Sequence, residues 1–281
     1  MAASACGFSA MSVLVKLASA RLPTGEIVLA RALVTLALSY AMVKRADLSP
    51  WGTQRGRLVV RGLLGFGGLA CYYLALAWLP LADATVLQNT IPLITTILAW
   101  WILRERVGWA AAFALACGLG GVLLVVHPGI GSARDPAGVA VALCAAMMSS
   151  TAYVTIRQLS RTEHPLVIVF YFPLVAAPLS LPWAAYDFVL PRLLDWLLLA
   201  GIGVATQVGQ VFLTMGLSLE RAARATSVGY LQVAFAMVWQ LVIWGQQPSW
   251  GTLAGASLII AGTLAVSATA KPDAPIARTG T

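Results

Sequence analysis

Charge is scarce in this chain. Asp, Glu, Lys and Arg make up 10% of its 281 residues, while apolar residues make up 60%. A soluble domain is about 25% charged and about 45–50% apolar. The shortage excludes an ordinary soluble fold and places the chain among membrane proteins. Histidine is nearly absent: His127 and His164 both sit at the ends of apolar runs. There is no His-Glu-x-x-His, no Gly-x-Ser-x-Gly and no cluster of metal-ligating residues. No catalysis, metal or cofactor is therefore expected. Cys6, Cys71, Cys117 and Cys144 lie inside apolar runs with no Cys-x-x-Cys pair, so buried free thiols are expected rather than disulfides. No basic leader precedes the first run, which begins at residue 1 as if the chain started slightly inside the first helix of longer relatives. Acids are missing from mid-run: Glu26 and Asp83 both lie near run ends.

What the chain does have is long apolar runs. Ten are evident: Ala2–Ser19, Ile27–Val43, Leu58–Leu79, Ala84–Leu103, Trp109–Val126, Gly138–Ile156, Leu166–Ala184, Leu194–Leu217, Ala225–Trp244 and Gly251–Ala270. A bilayer core about 30 Å thick needs about 20 apolar residues per helix. Barrel strands are shorter and alternate in polarity, so helices are the remaining way to satisfy the backbone in lipid. The net charge of +8 would suggest nucleic acid in a soluble protein, but here its placement decides. With the N-terminus in the cytoplasm, that side carries Lys44, Arg45, Arg55, Arg57, Arg61, Arg104, Arg106, Arg157, Arg161, Arg221, Arg224, Lys271 and Arg278. Lys16, Arg21, Arg134 and Arg192 fall outside, and Arg31 lies within a span. The positive-inside rule then puts both termini in the cytoplasm and makes lipid, not nucleic acid, the partner. The basic stretch Lys44–Arg61 reads as a solvated topology signal.

The chain also repeats itself. At an offset of 141, Lys16 falls on Arg157, Gly68 on Gly209, Thr85 on Thr226, Trp109 on Trp250 and Gly121 on Gly262. The register needs no gap between Lys16 and Val125, which points to duplication. Five spans per unit is odd, so the second unit is flipped. The expected fold is all-α integral membrane, with ten transmembrane helices as two inverted five-helix repeats. Residues 1–126 form the first repeat, 127–135 a connecting loop, 136–270 the second repeat and 271–281 a disordered cytoplasmic tail.

Polar residues at mid-span mark a candidate site. Span 4 holds Thr85, Gln88, Asn89, Thr90, Thr95 and Thr96, with Pro92 expected to free a backbone carbonyl. Span 8 sets Gln207, Gln210 and Thr214 on one face; span 9 carries Thr226, Tyr230, Gln232 and Trp239. Tyr73 and Tyr153 add aromatic walls. Arg31, about 10 Å below the outer end of span 2, needs protein or water around it. The plainer alternative for all of these is helix–helix glue. Gly65-x-Gly67-x-x-Ala70 formally matches a dinucleotide fingerprint, but it lies in a membrane run, where small residues serve close packing. Ala110, Ala114 and Gly118 in span 5, and Gly251 and Gly255 in span 10, read the same way. Pro173, Pro178 and Pro182 are expected to kink span 7.

Together these features resemble EamA-type members of the drug/metabolite transporter superfamily over essentially the whole chain. The matching residues are Lys16 closing span 1, Arg31 early in span 2, Arg104-Glu105-Arg106 after span 4 and the Gly-rich span 5. Gly255 to Gly262 match in the second half, while Gln246 replaces an acidic residue and Phe172 stands opposite Arg31. The resemblance implies export or exchange of small metabolites, often amino acids. Neutral donors and acceptors with aromatic walls suit a zwitterion, whose ammonium can rest on an aromatic face. A dianionic solute would want more cations than Arg31 alone. The expected function is an inner-membrane exporter or exchanger of an amino acid or related zwitterion, with a purine-like solute second. Substrate-binding residues would be Tyr73, Gln88, Asn89, Tyr153, Gln207, Gln210, Tyr230 and Gln232, supported by Arg31, Pro92 and Trp239. The missing mid-depth acid implies uniport or exchange rather than proton coupling. A homodimer stays open, as does a non-transporting sensor or structural protein.

Overall fold

The computed structural model describes residues 1–79, 84, 87–126, 136–245 and 250–268. Asp83, Thr85, His127, Gln246 and the 127–135 and 271–281 segments lie outside the described residues. The described chain forms helices α1 (Ala2–Ala18), α2 (Thr24–Arg45), α3 (Arg55–Trp78), α4 (Ile91–Ile102), α5 (Trp109–Val126) and α6 (Pro136–Leu159). These are followed by α7 (Pro165–Tyr186), α8 (Leu193–Leu219), α9 (Ala222–Val228), α10 (Leu231–Trp244) and α11 (Trp250–Ala268). No strand occurs among the described residues.

Six of these segments are long and apolar enough to cross a membrane, with α9 and α10 counted as one. Four shorter apolar helices occupy the remaining runs. Large apolar side chains cover the outside, among them Trp100, Trp101, Trp109, Trp196 and Trp250. In water such a surface would be untenable; in lipid it is the expected face, with tryptophan suited to the headgroup level. The cysteines divide: Cys117 is buried, Cys71 is half-buried, and Cys6 and Cys144 are exposed. The expectation of four buried thiols is thus corrected, because two of those runs turn their cysteine outward.

Small residues set the closest helix contacts. Gly67 and Gly68 lie on Met148 and Ser149, seating α3 against α6. A Cβ added to Gly121 would meet the Gly255 carbonyl oxygen at 2.5 Å, and one on Gly262 would meet the Ala114 Cα at 3.2 Å. Lipid offers little hydrophobic drive between helices, so backbone approach of this kind carries the packing. α1 lies along α8 as α3 lies along α6; α2 meets α8 as α3 meets α7; α1 meets α10 as α4 meets α6. α2 also packs on α7, and α5 on α11. Exchanging each helix for its counterpart at the 141-residue offset maps these pairings onto one another.

Two spans differ from expectation. The fourth is interrupted at Asn89–Thr90, and α4 begins only at Ile91. Pro92 lies in the first turn of α4. There a missing N–H costs nothing, so it starts a helix rather than freeing a carbonyl from within one. The ninth is interrupted at Gly229–Tyr230, between α9 and α10. α7, by contrast, holds Pro173, Pro178 and Pro182 within one unbroken helix.

Candidate solute-binding site

The two interruptions meet. The Tyr230 hydroxyl donates to the Asn89 backbone carbonyl at 3.0 Å. A broken helix leaves carbonyls without their intrahelical N–H, and in lipid each needs a partner. Tyr230 supplies one from the other half of the chain. Its side chain is buried, and its ring lies flush on α5: a Cβ on Gly118 would fall 2.1 Å from a Tyr230 ring carbon. Gln88, just before the break, has a buried side-chain carbonyl oxygen with no partner among the described residues. Gln232 is half-buried on the first turn of α10, and its backbone N–H donates to the Gly229 carbonyl at 3.0 Å.

A second group gathers on Phe172 of α7. The Arg61 guanidinium carbon lies 4.9 Å from the centre of that ring, and the Arg31 carbon lies 5.8 Å from it. Arg61 is only 2% exposed. Its Nη2 donates to Gln210 Oε1 at 3.2 Å, while Nε and Nη1 find no hydrogen-bond partner among the described residues. Arg31 is 7% exposed and does not pair with Glu26, whose Oε2 instead accepts from the Val189 N–H at 3.3 Å. Arg31 Nη1 donates to the Met11 sulfur at 3.9 Å, and Tyr73 lies near its charge.

Arg61 was missed from the sequence, where it belonged to a solvated basic stretch. The helix in fact begins at Arg55, so Arg61 lies about 9 Å inside it. Arg55 and Arg57 are exposed; Leu58, Arg61 and Gly65 share the inward face at helical spacing. That spacing was the available signal.

The remaining candidates scatter around these two groups. Gln207 accepts from the Ser39 hydroxyl at 3.0 Å and approaches the Met42 sulfur, tying α8 to α2. Tyr73 stacks edge-on with Trp183 at 5.9 Å between ring centres. Tyr153 packs on the main core cluster and lies close enough to Arg61 to interact with its charge. Trp239 donates from its indole N–H to the Ser9 hydroxyl at 3.1 Å. The Pro92 carbonyl accepts from the Thr96 hydroxyl at 2.8 Å. Thr95, Thr206 and Thr214 keep buried hydroxyls without partners.

Polar clasps join the halves at the helix ends. Arg157 donates from Nε to Glu105 at 3.0 Å and from Nη1 to the last carbonyls of α8, at Leu217 and Ser218. Glu105 also accepts from the Ala222 N–H at 2.9 Å, closing the start of α9. At the opposite helix ends Arg21 pairs with Asp195, the residue that caps α8.

The EamA-like transporter family model matches residues 1–127 and again residues 136–268. The chain is 37% identical to the pseudopaline exporter CntI of Pseudomonas aeruginosa, over 94% of this chain and 93% of that one. It is 28% identical to human solute carrier family 35 member G1, over 78% of this chain and 63% of that one. It is also 28% identical to the S-adenosylmethionine uptake transporter of Rickettsia prowazekii, over 73% of this chain and 69% of that one. A solved structure titled only as a crystal structure of a protein shares the fold, with a TM-score of 0.82 at 19% identity over 95% of this chain and 96% of that one. Two family matches, one to each half, and a relative alike from end to end lead to one conclusion: this multi-pass membrane protein is a transporter, not an enzyme, and belongs to the EamA-like transporter family.

Proposed function

We propose that this chain is an inner-membrane secondary transporter that exports a small polar metabolite bearing amino-acid-like groups. It works by alternating access between two inverted repeats, residues 1–126 and 136–270, with both termini cytoplasmic. One observation carries this reading: residues that correspond across the 141-residue offset touch each other. Asn89 accepts from Tyr230, and Arg31 lies over Phe172. A residue can meet its own counterpart only near an axis relating the halves. Transporters of this design bind solute near such an axis, at interrupted helices. Both interruptions fall there. The 37% relative is an exporter, which favours outward movement.

The binding residues we assign are Tyr73, Gln88, Asn89, Tyr153, Gln210, Tyr230 and Gln232, with Gln207 holding α8 in place behind them. The test is solute counterflow in proteoliposomes of purified protein against labelled amino acids and purines. Gln88→Ala, Asn89→Ala and Gln210→Ala should each slow transport while folded protein still reaches the membrane. Normal transport by all three variants would make these residues helix glue.

A further inference from the structure

We infer that the solute carries carboxylates in excess of its amines, and that Arg61 and Arg31 receive them. This rests on the transporter reading and deepens it by naming the charge of the cargo.

Arg61 is buried yet under-used. Guanidinium offers five N–H donors in a planar fork. Gln210 takes one at Nη2, and Nε and Nη1 have no hydrogen-bond partner among the described residues. Whichever Nη2 hydrogen Gln210 takes, one two-donor fork stays open. Arg31 shares the same aromatic ring from 5.8 Å. Two cations on one ring repel each other at membrane depth, where an unpaired charge is expensive.

The buried acids do not answer them. Glu26 accepts from the Val189 N–H with Oε2 and keeps a second, buried oxygen without a partner among the described residues, yet it does not pair with Arg31. Glu163 holds Thr53, Glu105 holds Arg157, and Asp195 holds Arg21. Among the described residues no acid pairs with Arg31 or Arg61. The open donors of Arg61 therefore suit a negatively charged group on the cargo. A planar carboxylate fits the open fork bidentately. A phosphate would ask for more cationic donors than this fork supplies; the neighbours are one amide, an aromatic ring, a thioether and the hydroxyls of Tyr153 and Tyr73. With two buried cations on one ring, an anionic solute suits the site better than a net-neutral one.

The experiment uses the full-length protein in lipid nanodiscs, with thermal stabilisation and calorimetry against four probes: glutamate, glutamine, citrate and glycerol 3-phosphate. Glutamate and citrate should stabilise it; glutamine and glycerol 3-phosphate should not. Arg61→Gln should weaken citrate binding about tenfold to a hundredfold, with Arg61→Lys in between. Without any probe, Arg61→Gln should melt no lower than the parent, because it removes an uncompensated charge. Four results would overturn the inference: equal stabilisation by glutamine or glycerol 3-phosphate, no response to any probe, unchanged citrate binding in Arg61→Gln, or a marked fall in its ligand-free melting temperature. Counterflow of a neutral amino acid, unaffected by Arg61→Gln, would sink this inference and keep the transporter. Absence of flux for every solute would sink the transporter reading, while citrate binding would still decide the site.

Discussion

Replacing Gly118 with alanine should destabilise the protein, although the same change usually does the opposite. In an ordinary helix interior Gly→Ala gains about 0.5–1 kcal/mol. At Gly118 the new Cβ would fall 2.1, 2.4 and 2.7 Å from three Tyr230 ring carbons. A buried aromatic ring cannot yield by a few tenths of an ångström there, because it is packed among Leu115, Val122 and Ile259. Overpacking of this kind costs about 1–3 kcal/mol. If the ring moves instead, the Asn89 carbonyl loses its donor, at about 1–3 kcal/mol. With either penalty, the net expectation after the helix gain is subtracted is a loss of about 1 kcal/mol, and at most about 2.5 kcal/mol. The assay is chemical or thermal unfolding of purified protein, run as a double-mutant cycle with Tyr230→Ala. Trimming the ring first should make Gly118→Ala nearly neutral or favourable. A Gly118→Ala protein as stable as the parent, or the same cost in both backgrounds, would show that the ring does not sit on that glycine.

Three further outcomes are expected. Arg157→Gln should cost about 3 kcal/mol on unfolding, because Glu105 and Arg157 are each only 12% exposed and the acid would be left buried alone; Glu105→Gln added to it should restore part of that loss. Reporters fused after Arg57 should read cytoplasmic, and reporters in the 127–135 segment should read periplasmic; the reverse pattern would sink the inverted-repeat proposal. Transport should not require a proton gradient, and if it does, Glu26→Gln with Asp83→Asn should abolish that requirement; coupling that survives both would mean a different proton site.

Most of the architecture was legible because lipid permits so few solutions. Apolar length gave the spans, and small residues marked the fifth and tenth as packing helices; that α5 and α11 pack on each other, through Gly121 and Gly255, comes from the structure. The helix breaks were less visible. Gly229 and Pro92 mark the two positions, but whether a helix bends or breaks there depends on what the other half supplies, as Tyr230 does for the Asn89 carbonyl. Gln207 shows the same limit: a buried amide reads alike whether it faces solute or, as here, a serine on α2. Arg61 was lost for another reason. A topology count assigns every arginine between apolar runs to water, and only the inward spacing of Leu58, Arg61 and Gly65 separates it from exposed Arg55 and Arg57.

The contact between positions 31 and 172 also limits what this molecule could be assembled from. Two identical halves meeting at that point would place either two guanidiniums together or two phenyl rings. The first repels, and the second offers an anion nothing. A cation resting on a ring needs two different residues at one shared position, which two identical halves cannot encode. A dimer made from two copies of the first half would set Arg31 against Arg31, and should fail to close there even if every other helix found its neighbour.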